Sequence, residues 1–500
     1  MNTGMVKTSS GSKKRLTDEF EQSAGGRGLW FAFDGEVGSA MKQVETNLTQ
    51  GSVLKNLWTF TLPFIGANLL QTLYGMVDLY IIGRFATTAD VSAVSVAGTV
   101  VATFLMLLIG LSVGTTVVIG QRFGAGDTAS LSSVAATAFT LAWIIGAALM
   151  AVVASLTLPI LRWINTPQEA MQGAVSYLLI CSVGYVFQSV YNMLSGILRG
   201  VGDSRSPLLF VGVATVFNIV GDVLLIGVLG LGAAGAAIAT VLAQLLCMVY
   251  GILHVKRRAF FFDFKRHSYH LAAEDARKLL RVGIPVALQE ILVMFSFIVL
   301  EGIINRFGLN ASAAAGILDK VFMFAMIPTS SFNAAISAMV AQNIGANEEK
   351  RAVKCLWYGS LLSELFAICF FLLGMFLPER IMGVFTTDGG VVAEGVRYYA
   401  GYKYEYLLCS LAFCVNGFIN GTGHTRLTLI NNVISTYVVR IPLCLVAGMV
   451  LDAGLYGIGY ALPVASLAQV IVGYVFFFFG RWRTGGSLAG NFPSNSEPGP

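Results

Sequence analysis

Two aspartates interrupt long apolar runs in the first half of the chain. Asp78 lies in the run near residues 57–83, and Asp222 lies in the run near 207–229. Asn218 precedes Asp222 by one helical turn, so in a helix both side chains face the same way. A carboxylate in a low-dielectric medium is costly unless it is paired, protonated or hydrated, and such residues usually serve a function. We therefore expect these acids to hold a proton or a cation.

The composition shows what surrounds these acids. Of the 500 residues, 56% are apolar and 12% are charged, whereas soluble domains carry roughly 25% charged residues. That imbalance excludes an ordinary soluble enzyme. Twelve runs are long enough to cross a bilayer, near residues 57–83, 91–119, 131–158, 174–198, 207–229, 233–254, 282–305, 312–341, 355–377, 396–420, 427–450 and 456–480. Continuously apolar runs of this length favour helices over strands, which predicts an all-α integral membrane protein.

The helical rise places oxygen-bearing groups of separate spans at one depth. Asp78 lies about five residues, and Asp222 about seven, before the C-terminal end of its span, while Thr240 lies about seven residues into span 6; at about 1.5 Å per residue all three are roughly 8–10 Å below the same surface. Tyr177 lies near the corresponding end of span 4. No Lys or Arg in the spans of the first half neutralises the acids, so the positive charge must come from elsewhere.

Two kinds of chemistry fit this set of groups. Two neighbouring carboxylates do not easily both ionise in a low dielectric, so the pair is suited to carry a proton. Alternatively, the oxygens of Asp78, Asn218, Asp222 and Thr240 form a set of hard ligands suited to Na⁺. The residues alone leave H⁺ and Na⁺ open.

The basic residues predict the orientation, because Lys and Arg are retained on the cytoplasmic side of membrane spans. Most of the 32 Lys and Arg residues fall on one side if both termini are cytoplasmic. We expect a monomer in a bacterial-type cytoplasmic membrane, with lipid around it and with neither a nucleic-acid partner nor a cofactor. The predicted domains are a polar cytoplasmic extension at 1–50, an N-lobe at 51–254, a cytoplasmic linker at 255–281, a C-lobe at 282–483 and a disordered tail at 484–500.

An internal repeat with an offset of about 222 residues relates the two lobes, as in many transporters built from fused halves. Matching segments include Pro63 with Pro285, Gln121-x-x-Gly124-Ala125 with Gln342-x-x-Gly345-Ala346, and Gly200-x-Gly202 with Gly421-x-Gly423. Six spans per lobe predict alternating access, in which one lobe rocks against the other. Asp78 projects onto Leu300, and Asp222 onto Leu443 or a neighbour, so neither acid has a direct counterpart.

Further polar and sulfur-containing side chains predict where an organic solute binds. The expected substrate cavity is formed by Gln71, Tyr74, Gln188, Asn192, Met294, Met323 and Met326. Methionine side chains adapt to ligands of different shape. The second half has its own ionisable residues in or near spans, whose roles stay open: Glu290, Glu301, Asp319, Lys320, Glu364, Glu405 and Arg440. Arg440 is the most costly of these, and we expect it to pair with an acid.

The combined motifs resemble those of a known family. Four segments carry the resemblance: P-F-I-x-x-N-L-L-Q-x-L-Y-G-M-V-D-x-Y-I-I-G-R-F at 63–85, Gln121 to Gly126, Leu198 to Asp203, and N-I-V-G-D at 218–222. Together they are similar to the multidrug and toxic compound extrusion (MATE) transporters. The resemblance implies cation-driven efflux of amphipathic, often cationic organic compounds. It also implies that the coupling cation binds in the N-lobe, at Asp78, Tyr177, Asn218, Asp222 and Thr240.

The sequence departs from that family in two places. Some members carry a second acid in the C-lobe, eight residues after the proline of span 7, where this chain has Val293. Glu290 is three residues earlier, and we do not transfer the role to it. The resemblance begins near Met41, which suggests that residues 1–40 are an additional extension.

Two other functions remain open on sequence grounds. A flippase for lipid-linked precursors would need a cationic cavity, and the only cations within spans are Lys320 and Arg440. A membrane-embedded enzyme would need a nucleophile with a base or a histidine metal set, but the four histidines lie in or beside predicted loops. An antiporter therefore fits the residues best.

Overall fold

The computed structural model describes residues 47–257, 262, 268–480 and 482. The chain divides into one unit at residues 1–45 and a second at 46–500, and every described residue belongs to the second. Three predicted regions lie wholly or partly outside the described residues. They are the tail at 484–500, part of the linker at 255–281, and nearly all of the extension at 1–50, including Met41, where the family resemblance begins. Those domain boundaries stay predictions.

The described residues fold into long helices joined by short turns. The N-lobe consists of α1 Val53–Phe85, α2 Thr88–Gly124, α3 Thr128–Trp163, α4 Gln168–Gly200, α5 Arg205–Asp222 and α6 Gly232–Lys256. The C-lobe consists of α7 Ala273–Ile304, α8 Leu309–Gly345, α9 Glu349–Phe376, α10 Pro378–Phe385, α11 Gly389–Gly421, α12 Thr425–Val433, α13 Ile441–Leu445 and α14 Gly454–Phe479. Helices α12 and α13 belong to one helical run that ends at Val450.

The twelve predicted spans are confirmed, because each falls on one of these helical runs. Within the described ranges, 11 runs are long and apolar enough to cross a membrane. The remaining run, α11, carries four charged residues, Glu394, Arg397, Lys403 and Glu405. The protein is therefore an all-α, multi-pass membrane protein with two six-span lobes.

All twelve helical runs begin before the predicted spans, and in α2 a polar cap explains the earlier start. At the start of α2, the Thr87 hydroxyl accepts from Asp90 N at 3.2 Å, and the Asp90 carboxylate accepts from Thr87 N at 3.2 Å. This reciprocal arrangement is a capping box, which satisfies backbone donors at a helix start. It moves the start of α2 to Thr88, three residues before the predicted edge at residue 91.

The internal repeat is visible in the helix boundaries and turns. The bounds of α2 and α8, and those of α4 and α11, are displaced by 221 residues. The turns after α4 and α11 contain Gly202 and Gly423, with φ of 89° and 84°. Only glycine adopts this left-handed region without a steric penalty, which explains why both turns keep Gly-x-Gly.

Two reciprocal hydrogen bonds join the lobes at the C-terminal ends of α2 and α8. Gln121 Nε2 donates to Gly421 O at 3.1 Å, and Gln342 Nε2 donates to Gly200 O at 2.8 Å. Both the glutamines and their acceptors are 221 residues apart, so the repeat relates the two bonds. We call these four residues the glutamine clasp.

Glycine also permits close contact between the lobes. A Cβ on Gly124 would lie 1.9 Å from Gln342 O, and a Cβ on Gly114 would lie 2.6 Å from the Cα of Gly283 in α7. Real Cβ atoms do not tolerate such distances, so the backbones touch directly at these points. Helices α2, α7 and α8 therefore form much of the contact between the lobes.

Two features of the helices were not predicted. The short helix α10 follows α9, and wide π-helical turns occur at Val223–Val228, Ile434–Arg440 and Val446–Val450. In the first of these, Leu229 N donates to Leu224 O at 2.9 Å, five residues back. Such turns often mark functional sites, and their apolar sequences carry no signal that separates them from an ordinary helix.

Candidate functional site

Two carboxylates from different helices meet inside the N-lobe. Asp78 lies in the C-terminal half of α1, and Asp222 is the last residue of α5, directly before the first π-helical turn. Their carboxyl groups lie within hydrogen-bonding range of each other. Asp222 is fully buried and Asn218, one turn earlier, is 1% exposed. The structure thus brings the three predicted groups together.

Several oxygens of this cluster lack a donor. Among the residues that the structure describes, Asp78 Oδ1, both carboxylate oxygens of Asp222 and the side-chain amide of Asn218 have no hydrogen-bond partner. Buried polar groups in proteins are nearly always paired, so such a group requires an explanation. A proton shared by the carboxyls, or a cation bound by the oxygens, would satisfy the unpaired oxygens.

Helix α6 completes one side of the cluster. Gly221 allows α5 to approach α6, because a Cβ there would lie 3.1 Å from Ala239 Cβ. Thr240 follows Ala239, and its hydroxyl lies 3.2 Å from the Tyr74 hydroxyl of α1. The bond between Tyr74 and Thr240 therefore connects α1 to α6 beside the carboxylates.

Helix α4 contributes the aromatic side of the cluster. Tyr177 is 6% exposed and Cys181, one turn later, is 4% exposed. Both side chains are close enough to Asp78 to interact with its charge. The five residues predicted to hold the cation are therefore close neighbours in the fold.

The cluster contains no basic residue to balance its charge. In the sequence, no Lys or Arg occurs between Lys55 and Arg84 or between Arg205 and Lys256. In the described part of the chain, no group of three or more His, Cys, Asp or Glu residues is placed to hold a metal ion. A Na⁺ ion here would depend on two carboxylates together with amide and hydroxyl oxygens, which are ligands for a hard cation.

The predicted substrate residues are spread over both lobes. Tyr74 joins the acidic cluster, while Gln71, one turn earlier on α1, is exposed. Asn192 Nδ2 donates to Gln188 O at 2.8 Å within α4. Met323 is 66% exposed, Met326 is 8% exposed and packs in the C-lobe core, and Met294 is half-buried on α7. Their assignment to a substrate cavity stays a prediction.

One neighbour of the cluster was missed. Gln244 lies on α6 one turn after Thr240, and its Oε1 is buried and has no partner among the described side chains. It packs against Gly184 of α4, where a Cβ would lie 2.2 Å from that oxygen. The four-residue spacing from Thr240 places both on one helix face, which is the signal that would have identified it.

The C-lobe contains the ion pair that the sequence predicted for Arg440. Arg440 Nη2 lies 3.8 Å from Glu405 Oε1, and the two residues are 9% and 3% exposed. The expected pairing with an acid is confirmed, and the partner is an acid of α11.

Both lobes of the chain match a known protein family. The family model described as MatE matches the chain twice, at residues 63–224 and 285–446. The chain belongs to the MatE family. The two matches begin at Pro63 and Pro285, which confirms the family resemblance and an internal repeat of 222 residues. Asp78, Asn218 and Asp222 of this MatE protein lie in the first match.

Similar proteins cover nearly the whole MatE chain. It is 28% identical over 438 residues to the probable multidrug resistance protein YpnP of Bacillus subtilis, covering 87% of this chain and 97% of that protein. It is 27% identical over 445 residues to the probable multidrug resistance protein NorM of Thermotoga maritima, covering 86% and 93%. A solved MOP superfamily transporter from Pyrococcus furiosus shares the fold, with a TM-score of 0.81 at 21% identity over 87% of this chain and 97% of that one.

Proposed function

We propose that this MatE protein is an antiporter in which inward movement of H⁺ or Na⁺ drives the export of amphipathic, often cationic organic compounds. The transport takes place across the cytoplasmic membrane by alternating access, with both termini in the cytoplasm. The relatives named as multidrug resistance proteins support a small organic substrate. The observation that carries the proposal is the pair of facing acids, half-buried Asp78 and fully buried Asp222, whose spans hold no basic residue to balance their charge.

The pair supplies the coupling chemistry. Two facing carboxylates in a low dielectric attract one positive charge, because a bound H⁺ or Na⁺ removes their mutual repulsion and the cost of burying a net negative charge. The cation concentration on each side of the membrane then determines the fraction of clusters that have a bound cation. Coupling follows if the neutralised and ionised clusters favour different arrangements of the lobes.

Helix α1 is suited to transmit that change, because it contacts both lobes. Its C-terminal half carries Asp78, while Asn68 Nδ2 in its N-terminal half donates to the Ser331 hydroxyl of the C-lobe at 3.0 Å. Trp58 of α1 also stacks on Phe366 of α9, with ring centroids 6.4 Å apart. A change in charge at Asp78 therefore acts on a helix that bridges the lobes.

The glutamine clasp supports the alternating-access part of the proposal. It joins the lobes at the ends of α2 and α8 that the basic residues predict to be cytoplasmic. Opening a path to the cytoplasm requires both of its hydrogen bonds to break. The clasp therefore stabilises an arrangement that is closed on that side.

The test is efflux of a fluorescent organic cation from proteoliposomes under an imposed pH gradient or an imposed Na⁺ gradient. Wild-type protein is expected to respond to one gradient, which identifies the coupling ion, and Asp222→Asn is expected to lose the response. Asp319→Asn makes the same change of charge in the C-lobe and serves as the matched control.

Two outcomes would contradict the proposal. One is that neither gradient drives efflux of any organic cation tried, which would make a lipid flippase assay the next experiment. The other is that Asp222→Asn responds like wild type, which would make the paired acids structural.

A further inference from the structure

The C-lobe has a polar cluster at the position that the internal repeat assigns to the N-lobe site. At the offset of 222 residues between the two MatE matches, Arg440 aligns with Asn218 and Cys444 aligns with Asp222. At the offset of 221 residues shared by α4 and α11, Tyr398 aligns with Tyr177. The helical frame is thus repeated, while the charged groups within it are different.

In the C-lobe cluster a fixed cation faces a single buried acid. Glu405 Oε1 lies 3.8 Å from Arg440 Nη2 and accepts a hydrogen bond from the Ser466 hydroxyl at 2.7 Å. The Arg440 guanidinium carbon also lies 5.6 Å from the centre of the Phe297 ring. Each charge offsets the desolvation of the other, which an isolated buried ion does not achieve.

The N-lobe has no acid at the position of Glu405. There the repeat places Gly184, and Ser466 aligns with Gln244, whose Oε1 occupies the space next to that glycine. The N-lobe therefore has an uncharged amide where the C-lobe has a carboxylate held by Arg440. In the part of the chain that the structure describes, its own acids, Asp78 and Asp222, have no basic residue in their spans.

We infer that Arg440 is a tethered cation, which fills in the C-lobe the role that the mobile coupling cation fills in the N-lobe. Its guanidinium neutralises Glu405 in every state of the cycle, so the C-lobe cluster binds no coupling ion. The consequence of this neutralisation for transport rests on the proposed function, because the neutralised Glu405 leaves only Asp78 and Asp222 to couple the cation to transport. Arg440 thereby determines how many cations the protein exchanges for each substrate.

Two further acids lie near this cluster. The Asp319 carboxyl lies near Tyr402 and near the Glu301 carboxyl. Both acids are exposed at the surface of the described chain, whereas Glu405 is buried. Because Asp319 lies outside the buried pair of Glu405 and Arg440, Asp319→Asn separates its contribution from that of Glu405.

Cation binding by the purified full-length protein, without an organic substrate, tests the inference. The probes are radioactive Na⁺ and proton uptake from a weakly buffered solution. Wild type is expected to bind a cation, and Asp222→Asn is expected to lose it. Adding Arg440→Gln to Asp222→Asn should restore binding, because Glu405 then lacks its guanidinium, and adding Glu405→Gln should abolish it again. Arg440→Lys keeps the charge and should restore nothing.

The inference is overturned if the folded variant with Asp222→Asn and Arg440→Gln binds no cation. It is also overturned if binding that survives Asp222→Asn is removed by Glu405→Gln. Should Arg440→Gln fail to fold, Glu405→Gln alone decides, because it must leave wild-type cation binding intact. Failure of the proposed function gives a different pattern, in which wild type binds no cation, or Asp222→Asn binds as much as wild type and Glu405→Gln changes nothing.

Discussion

The N-lobe and the C-lobe share a helical frame but balance buried charge in opposite ways. In the N-lobe, Asp78 and Asp222 face each other with no basic residue in their spans. In the C-lobe, Glu405 faces Arg440. A site that must take its counter-charge from solution responds to an ion gradient, whereas a site that contains its own does not. Under the proposed function, the N-lobe therefore senses the coupling ion while the C-lobe stays indifferent to it.

The lobes also differ in how firmly each first helix is held by the opposite lobe. Helix α7 meets α2 of the N-lobe through the backbone, because a Cβ on Gly110 would lie 2.4 Å from Ala287 Cα. Helix α1 meets the C-lobe through side chains, including the bond from Asn68 to Ser331. Side-chain contacts re-form in a new arrangement more readily than interlocked backbones do. The helix that carries Asp78 is thus the one with more freedom to move.

The largest expected effect is the loss of coupled transport when either N-lobe acid is neutralised. Asp78→Asn and Asp222→Asn should each reduce gradient-driven efflux to the level of empty liposomes. The double variant should be no worse than either single one, because groups that act as a unit are not additive. The measurement is the initial rate of efflux from proteoliposomes with matched amounts of protein.

Neutralising an acid should also have opposite effects on stability in the two lobes. Arg440→Gln or Glu405→Gln leaves one buried charge unpaired, which typically lowers the free energy of unfolding by about 3–5 kcal/mol. The variant with both changes should recover part of that loss, and Asp222→Asn should be neutral or stabilising. Thermal unfolding in detergent compares wild type, Arg440→Gln, Glu405→Gln and their combination as a double-mutant cycle, with Asp222→Asn measured beside them.

The two lobes do not differ in this respect if Asp222→Asn destabilises the protein as much as Glu405→Gln does. In that case both acids would be structural partners, and the difference in charge balance would carry no functional meaning. Arg440→Lys provides the control for packing, since it keeps the charge and shortens the side chain.

A smaller effect is expected where the repeat is nearly exact, at the glutamine clasp. Gln121→Ala removes one hydrogen bond between the lobes, which typically contributes about 1 kcal/mol, or roughly a fivefold shift between two states. Gln342→Ala should shift the equilibrium further, because Gln342 Oε1 also accepts from Leu48 N at 3.0 Å. Distances between spin labels at the predicted cytoplasmic ends of α2 and α8 measure the shift. A larger effect of Gln121→Ala would show that the bond to Leu48 contributes nothing.

Much of this arrangement could be predicted because membrane burial leaves a strong signature in sequence. Apolar length identifies each span, and the helical rise places Asp78, Asp222 and Thr240 at one depth from sequence alone. The repeat was detectable at turns, because Gly202 and Gly423 must adopt a conformation that only glycine adopts without strain.

Other features left no signal in the sequence. The π-helical turn after Asp222 consists of ordinary apolar residues, and the clasp depends on contacts between residues far apart in the chain, such as Gln121 and Gly421. The sequence predicts only that Arg440 pairs with an acid, because several acids lie in or near the spans of the C-lobe. Three-dimensional contact selects Glu405.

The smallest expected effect concerns the hydroxyl contact beside the N-lobe acids. Thr240→Val replaces a hydroxyl with a methyl group of similar size and removes the bond to Tyr74, for an expected loss of about 1 kcal/mol, or roughly a fivefold weaker affinity for the coupling cation. Thr240→Ser keeps the hydroxyl and is the matched control.

The aligned residue of the C-lobe is Leu462, and Leu462→Val should leave cation affinity unchanged, because that lobe is neutralised by Arg440. Titration of cation-dependent thermal stabilisation measures all three variants. Equal losses in Thr240→Val and Leu462→Val would mean that the change acts through packing, and the contrast between the lobes would not extend to this contact.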